Sequence, residues 1–230
     1  MKTYIITGAS NGIGASLSRE IAKRGGKVIG ISRNEEKLKS LKNELGDLFS
    51  YFICDVQNEK SVADVFEKII SENEKIDGLI NNAGLGIFNQ LESVSLEEWN
   101  TQLQTNLTGT FLCTKSIVPQ LKKQQSGIIV NIASIAGKMG IAEAAAYNAS
   151  KFGVVGFSES IMHELRNFGI RVTCICPGSV DTNFFDNVQK KMEASKMMKP
   201  SDIANMVCYV LEQPEHLIID TIIMRPLGKA

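Results

Sequence analysis

The chain has 230 residues, of which 43% are hydrophobic and 22% are charged, a composition typical of soluble globular proteins. Its 25 basic and 25 acidic side chains leave no net charge, so the sequence predicts neither a nucleic-acid nor a membrane partner. No apolar stretch approaches the roughly 18 residues of a membrane span. The five cysteines contain no CxxC pair, which predicts no metal site and indicates reduced thiols in a cytoplasmic protein.

Short β-rich runs alternate with helical patterns along the chain. The predicted strands are Thr3–Thr7, Val28–Ile31, Phe49–Cys54, Gly78–Asn81, Ile128–Ile132, Val172–Cys176 and Leu217–Met224. The predicted helices begin near Ile13, Leu38 and Val62, and then lie around Leu96–Leu121, Tyr147–Leu165 and Ser201–Leu211. Alternation of this kind predicts an α/β fold in which residues 1–230 form a single doubly wound domain, with helices on both faces of a parallel sheet.

A glycine-rich turn follows the first predicted strand. Glycines let backbone N–H groups approach a pyrophosphate at the positive end of a helix. The spacing Gly-x3-Gly-x-Gly differs from the Gly-x-Gly-x-x-Gly dinucleotide fingerprint, so a purely structural turn remains an alternative. The candidate cofactor contacts are Gly8, Ser10, Asn11, Gly12, Ile13 and Gly14.

The end of the second predicted strand carries Ser32 and Arg33, about 20 residues after the glycines, where a dinucleotide fold tests the adenosine ribose. A carboxylate there would favour NAD, whereas a guanidinium binds a 2′-phosphate. The sequence therefore predicts NADP(H), the alternative being a solvated Arg33 beside a helix cap at Asn34. Asp55 and Val56 end the third strand in the same row, where a carboxylate would accept from the adenine amino group.

Two further signals lie at carboxyl ends of predicted strands. A turn of small residues follows the fourth strand and consists of Asn82, Ala83 and Gly84. Its backbone is a candidate contact for the cofactor, the alternative being a plain turn. Ser134 follows the fifth strand, and Tyr147 and Lys151 lie one helical turn apart.

The phenol, the ammonium and the hydroxyl suit proton transfer to a carbonyl oxygen. A nearby ammonium is expected to lower the pKa of the Tyr147 phenol toward neutrality. Tyr147 would then protonate the oxygen as a hydride arrives, or deprotonate an alcohol in the reverse direction. Ser134 would hold that oxygen through a hydrogen bond that strengthens as charge develops.

Together these motifs resemble the short-chain dehydrogenase/reductase family over almost the whole chain. The resemblance implies a seven-stranded parallel Rossmann sheet and an Asn-Ser-Tyr-Lys tetrad in which Asn106 holds a water that relays protons to Lys151. Lys151 would also bind the nicotinamide ribose. The resemblance assigns Thr182 to the carboxamide, Val180 to the backbone position beside it, and Tyr147, Pro177 and Gly178 to the cofactor shell. It also implies a homodimer or homotetramer.

The carboxyl-terminal tail is similar to that of NADP-dependent serine and 3-hydroxy acid dehydrogenases and related carbonyl reductases. A small-molecule carbonyl or alcohol such as a 3-hydroxy acid is therefore the expected substrate. A 3-oxoacyl-thioester reductase and a non-catalytic dinucleotide-binding sensor are the alternatives. An apolar pocket is expected, with Lys138 and Glu143 as the only nearby charges, and its candidate residues are Leu85, Ile135, Met139, Ile141, Phe184 and Phe185. The segment about 179–199 is predicted to be a lid over it.

Overall fold

The computed structural model of the protein describes residues 1–185 and 193–228. Within these residues the strands are β1 Thr3–Thr7, β2 Lys27–Ser32, β3 Phe49–Ile53, β4 Gly78–Asn81, β5 Gly127–Ile132, β6 Ile170–Pro177 and β7 Thr221–Met224. The α-helices are α1 Gly12–Lys23, α2 Glu35–Leu45, α3 Glu59–Glu72, α4 Leu96–Leu103, α5 Gly109–Gln124, α6 Ala145–Leu165 and α7 Pro200–Leu211.

The strands form one seven-stranded sheet in the order β3-β2-β1-β4-β5-β6-β7. Every pairing is parallel. The order reverses direction between β1 and β4, and a doubly wound sheet opens a crevice at such a point. The predicted fold class is confirmed, including the number of strands.

Two apolar cores lie on opposite faces of the sheet. On one face, α1, α2 and α7 contribute apolar side chains that include Leu17, Leu38 and Val207. On the other face, α3, α5 and α6 contribute side chains that include Phe66 and Ile117. Burial on both faces explains why the central strands read as continuous apolar runs rather than alternating patterns.

The predicted long middle helix is wrong in one respect, because it is not a continuous α-helix. A π-helical turn, Gln104–Thr108, separates α4 from α5. Turns of this type widen a helix locally and often lie at functional sites. Here the turn carries Asn106, whose buried side chain is directed toward the loop after β4.

The segment after β6 is tied down close to its two ends. Val180 and Met198 form a parallel β-bridge. Asp181 N donates to Met198 O at 2.8 Å, and Met198 N donates to Ser179 O at 3.0 Å. The segment therefore has a backbone pairing that the sequence did not indicate. Residues 186–192 of the predicted lid lie outside the described residues.

Candidate active site

A cavity of ≈ 670 Å³ opens at the carboxyl ends of the strands, within the roughly 300–1,000 Å³ usual for small-molecule sites. The predicted site residues that line it are Gly8, Ser10, Asn11, Gly12, Ile13, Asn82, Ala83, Gly84, Ser134, Tyr147, Lys151, Pro177, Gly178, Val180 and Thr182. Those that lie outside its lining are Gly14, Ser32, Arg33, Asp55, Val56 and Asn106.

The glycine turn, residues 8–14, has a backbone that side chains would obstruct. Gly8 and Gly12 have φ values of 65° and 51°, in the left-handed region that favours glycine. A Cβ on Gly14 would lie 2.3 Å from the carbonyl oxygen of Gly8. Asn11 precedes α1 without capping it through its side chain, so the first N–H groups of α1 remain available for an anion.

The second small-residue turn is fixed to the first by hydrogen bonds. Asn82 N and Ala83 N donate to Thr7 Oγ1 at 3.0 and 3.1 Å. Asn82 Nδ2 donates to the carbonyl oxygens of Thr7 and Gly8 at 3.0 and 3.2 Å. Thr7 therefore positions both turns, a role that its place at the end of a buried strand did not reveal in the sequence.

Polar groups gather at the carboxyl end of β2. The hydroxyl oxygens of Ser10 and Ser32 lie 2.8 Å apart. Arg33 Nη1 lies 3.6 Å from Asp55 Oδ2, and the Arg33 side chain is 65% exposed. Asn34 caps α2 by accepting from Lys37 N at 3.0 Å. Arg33 thus stands beside a helix cap, as the alternative interpretation required, and it directly follows Ser32, whose hydroxyl meets that of Ser10 on the cavity lining.

Asp55 and Val56 have mainly local contacts. Asp55 Oδ1 accepts from Gln57 N at 3.0 Å, which orients the carboxylate next to Arg33. The Val56 side chain is buried and packs on the first residue of α5, since a Cβ on Gly109 would lie 2.8 Å from Val56 Cγ2. Both residues lie at the row of strand ends that the sequence indicated.

Three reactive side chains meet on the cavity wall. Ser134 precedes the 3₁₀ turn Ile135–Gly137, and its Oγ accepts from Ala136 N at 3.1 Å. Tyr147 and Lys151 lie one turn apart in α6, with Lys151 Nζ 5.8 Å from the centre of the Tyr147 ring. Lys151 Nζ donates to the carbonyl oxygen of Ile132 at 3.0 Å, which fixes the ammonium at the end of β5.

Burial governs the protonation of this pair. Desolvation raises the pKa of Tyr147 to about 12, and the hydrogen bond with Ser134 opposes that rise. Desolvation lowers the pKa of Lys151 to about 8. The predicted lowering of the Tyr147 pKa is therefore wrong for this structure, because burial penalises the phenolate more than its neighbours stabilise it. The phenol is protonated at neutral pH.

Asn106 is bonded to the cavity wall rather than exposed within the cavity. Its Oδ1 accepts from Leu85 N at 2.8 Å, and its Nδ2 donates to Leu85 O and to Ser150 Oγ at 2.9 Å each. A Cβ on Gly84 would lie 3.2 Å from Asn106 Oδ1 and 3.5 Å from Lys151 Nζ. The π-helical turn thus brings Asn106 near Lys151, and the relay through water stays a prediction.

An aromatic wall, formed by Phe88, Tyr147 and Phe184, bounds the substrate side. The Tyr147 ring centre lies 5.5 Å from that of Phe88 and 5.6 Å from that of Phe184. A Cβ on Gly86 would lie 2.8 Å from both phenylalanine rings. The sequence indicated Phe184 but missed Phe88, whose position just after the Asn82–Gly84 turn was the available signal.

The remaining pocket candidates divide into two groups. Leu85, Ile135 and Ile141 line the cavity as expected. Met139 does not line it and instead contacts Arg225, whose Nη2 lies 3.7 Å from Met139 Sδ. The sequence also indicated Phe185, whose side chain lies outside the described part of the structure.

A family model described as short chain dehydrogenase matches residues 2–193. The chain belongs to the short-chain dehydrogenase family. It is accordingly an oxidoreductase. Among the described residues, no helix is long and apolar enough to cross a membrane, and no group of three or more His, Cys, Asp or Glu side chains could hold a metal.

Several members of this family resemble the chain over nearly its full length. The NADP-dependent 3-hydroxy acid dehydrogenase YdfG of Escherichia coli is 34% identical over 98% of this chain and 95% of its own. The 3-oxoacyl-[acyl-carrier-protein] reductase of Vibrio cholerae is 34% identical over 93% and 91%. The closed form of a serine dehydrogenase complexed with NADP⁺ superimposes with a TM-score of 0.92 at 31% identity, over 99% and 96% of the chains.

Proposed function

We propose that this chain is an NADP(H)-dependent oxidoreductase that interconverts a small carbonyl compound and its alcohol. The observation that carries the proposal is the meeting of Ser134, Tyr147 and Lys151 with the glycine turn on the walls of one cavity. Relatives that act on 3-hydroxy acids and on serine make these compounds the first substrates to test.

The residues present fit the cofactor. The open start of α1 and the glycine turn suit the pyrophosphate, and Arg33 with the hydroxyls of Ser10 and Ser32 suits a 2′-phosphate. Asp55, which lies beside Arg33, would accept a hydrogen bond from the adenine amino group. Val56 follows it at the same row of strand ends. Lys151, Tyr147 and the residues Asn82, Ala83, Gly84, Pro177, Gly178, Val180 and Thr182 would surround the nicotinamide half.

When bound, NADP(H) supplies or accepts the hydride at the substrate carbon. Tyr147, protonated because burial raises its pKa, donates its proton to the substrate oxygen during reduction. The Lys151 ammonium stabilises the phenolate that remains. Ser134 Oγ accepts from Ala136 N and is also hydrogen-bonded to Tyr147, and its O–H would turn to the substrate oxygen when the substrate is bound. Asn106 bonds to the backbone of Leu85 on the cavity wall and lies near Lys151. A water held by Asn106 would relay a proton to Lys151, and from there to Tyr147.

We further propose a cytoplasmic location, a closing segment at about 179–199 and a homo-oligomer. Five free, buried cysteines support a reducing compartment. The bridge between Val180 and Met198 pairs the two ends of this segment, and Phe184 near its start belongs to the aromatic wall, which supports the closing role. Hydrogen exchange in residues 179–185 should slow when NADP⁺ and product bind, and equal exchange in both states would contradict a closing role.

The test follows NADPH absorbance with a panel of small ketones and 3-oxo acids, and NADP⁺ with the matching alcohols. Turnover of at least one compound is expected. Tyr147→Phe should lower kcat by roughly 10²–10⁴-fold while NADPH still binds. Tyr209→Phe, an exposed tyrosine on α7, is the matched control and should retain activity.

The same assay separates the alternatives. Turnover of a 3-oxoacyl thioester but of no free ketone would favour the 3-oxoacyl reductase function. NADPH binding with no turnover of any compound in either direction would contradict the enzyme proposal and favour a dinucleotide-binding sensor. Full activity in Tyr147→Phe would contradict the assignment of the proton donor.

A further inference from the structure

Glu143 has an unusual backbone conformation for a side chain of its size. Its φ is 62°, and Gln125 is the other non-glycine residue with positive φ among the described residues. Gln125 ends α5, where a left-handed residue is ordinary. Glu143 ends no helix, and strained residues of this kind concentrate at functional sites.

A hydrogen bond from across the cavity entrance holds this conformation. Asn89 N donates to the carbonyl oxygen of Glu143 at 2.8 Å. Asn89 Nδ2 in turn donates to Glu98 Oε1 at 3.1 Å, which anchors the loop after β4 to α4. The loop after β4 therefore holds the backbone of Glu143 in place beside the cavity.

Glu143 is a lining residue of the cavity, and its exposed side chain carries a negative charge. Among the described residues that line it, the charged ones are Glu143 and Lys151. Lys151 is buried beneath the surface and donates to Ile132 O. No ion pair joins Glu143 to a cation within the described ranges.

Apolar and aromatic side chains share the cavity lining with Glu143. They are those of Leu85, Phe88, Ile135, Ile141 and Phe184. A charge acts more strongly on a partner when apolar surface displaces the water between them. The faces of aromatic rings also attract cations. Both effects favour a positive group over a negative one at this end of the cavity.

Two cations lie on the neighbouring surface without entering the cavity. Lys138 and Arg225 are exposed and are absent from its lining. The Arg225 guanidinium contacts the Met139 sulfur, on the loop that leads to Glu143. Neither side chain places a positive charge on the cavity lining, where it could bind a substrate carboxylate.

We propose that Glu143 selects the charge of the substrate, so that the cavity takes a carbonyl compound or alcohol bearing an ammonium group and disfavours one bearing only a carboxylate. This inference rests on the proposed function and narrows its substrate class. Amino ketones and amino alcohols then rank above simple 3-hydroxy acids.

The test uses three methyl ketones of similar shape that differ in charge. They are 4-(dimethylamino)butan-2-one, which is cationic, the neutral 5-methylhexan-2-one, and the anionic levulinate. Values of kcat/KM for NADPH-dependent reduction should fall in that order. Glu143→Gln should lower the cation-to-anion ratio by about tenfold or more, since one charge acts oppositely on the two substrates.

Two controls separate charge from backbone strain. Glu143→Asp keeps the charge and should retain the preference, whereas Glu143→Gly relieves the backbone and should lose it. Glu67→Gln removes an exposed carboxylate from α3, far from the lining, and should change nothing.

The outcomes distinguish this inference from the proposed function. A preference for levulinate in the native enzyme, or an unchanged ratio in Glu143→Gln, would overturn the role of Glu143 while leaving the oxidoreductase assignment intact. Where the three ketones react slowly, their inhibition constants against the best substrate of the panel provide the same ratio. Absence of turnover with every ketone and alcohol would instead contradict the proposed function.

Discussion

At the residue scale, burial shifts the pKa values of Tyr147 and Lys151 in opposite directions. The sequence placed the two groups one helical turn apart, and the structure confirms that spacing. The sequence did not reveal how little of either side chain reaches solvent, 8% for Tyr147 and 4% for Lys151. The burial of these side chains depends on the loops that cover α6, and the residue pattern of α6 alone does not indicate those loops.

The buried ammonium has a consequence for stability. The pKa of Lys151 falls from 10.5 to about 8 on folding, so the unfolded chain binds more protons between these pH values and stability should rise with pH there. In Lys151→Met this rise should be absent. Between these pH values, the unfolding free energy of the native protein should rise relative to that of the variant by up to about 3 kcal/mol.

Denaturant unfolding of the ligand-free protein between pH 8 and 10 measures this difference. The Tyr147 phenol, with its raised pKa, lowers stability above pH 10 in both proteins and cancels in the comparison. A difference that stays flat across the range would contradict the lowered pKa of Lys151.

We also expect cofactor choice to depend on a single residue, Arg33. Removing a charged hydrogen-bond donor costs roughly 1.5–3 kcal/mol, so Arg33→Ala should raise the KM for NADPH by about tenfold to a hundredfold. NADH, which lacks the 2′-phosphate, should be much less affected. The steady-state KM of each cofactor is the measurement, and Arg19→Ala, which breaks an exposed ion pair with Glu44, is the control. Equal changes for both cofactors would contradict the role of Arg33.

At the scale of elements, the strands were predictable because buried parallel strands are apolar throughout. β1 and β4 have the predicted bounds, while β7 begins at Thr221 rather than Leu217. The π-helical turn Gln104–Thr108 was not predictable, since a single widened turn inside a longer helix has no characteristic residue pattern. The candidate site could be located because its residues follow strand ends, a signal that Phe88 and Glu143 carry only weakly.

The start of α1 depends on close contact between two backbones. A Cβ on Gly14 would lie 2.3 Å from Gly8 O and 2.6 Å from Asn82 Nδ2, so Gly14→Ala should destabilise the protein by about 1–3 kcal/mol. It should also weaken NADPH binding, because the glycine turn must shift. Denaturant unfolding and a cofactor titration measure the two effects.

Gly140→Ala is the matched control for this change. Gly140 lies in the loop before α6, its φ is outside the left-handed region, and a Cβ there would meet nothing within 4 Å. Alanine should therefore leave stability unchanged or raise it by roughly 0.4–1 kcal/mol. Equal effects of the two substitutions would mean that the contact between Gly8 and Gly14 does not constrain the turn.

At the scale of the whole molecule, α5 and α6 present exposed aromatic side chains. Phe111 on α5 and Phe152 on α6 are 43% and 47% exposed. We expect these outer faces to pair across a two-fold axis in a homodimer or homotetramer. Light scattering at micromolar concentration should give a multiple of 25.2 kDa, and Phe152→Glu should shift the mass toward one chain. A mass of 25.2 kDa for the native protein would contradict the oligomer.

The bridge between Val180 and Met198 closes a loop in the chain, because it pairs two residues that lie far apart in the sequence. The entropy of closing such a loop depends weakly on its length, and doubling the length costs only about 0.6 kcal/mol. Thr182 and Asn183 lie against Gly12 and Asn11 of the glycine turn, so we expect a change of length to be tolerated where it leaves these contacts in place. The pairing with the sheet end would then persist while the stretch between the bridged residues varies, at a small cost in stability.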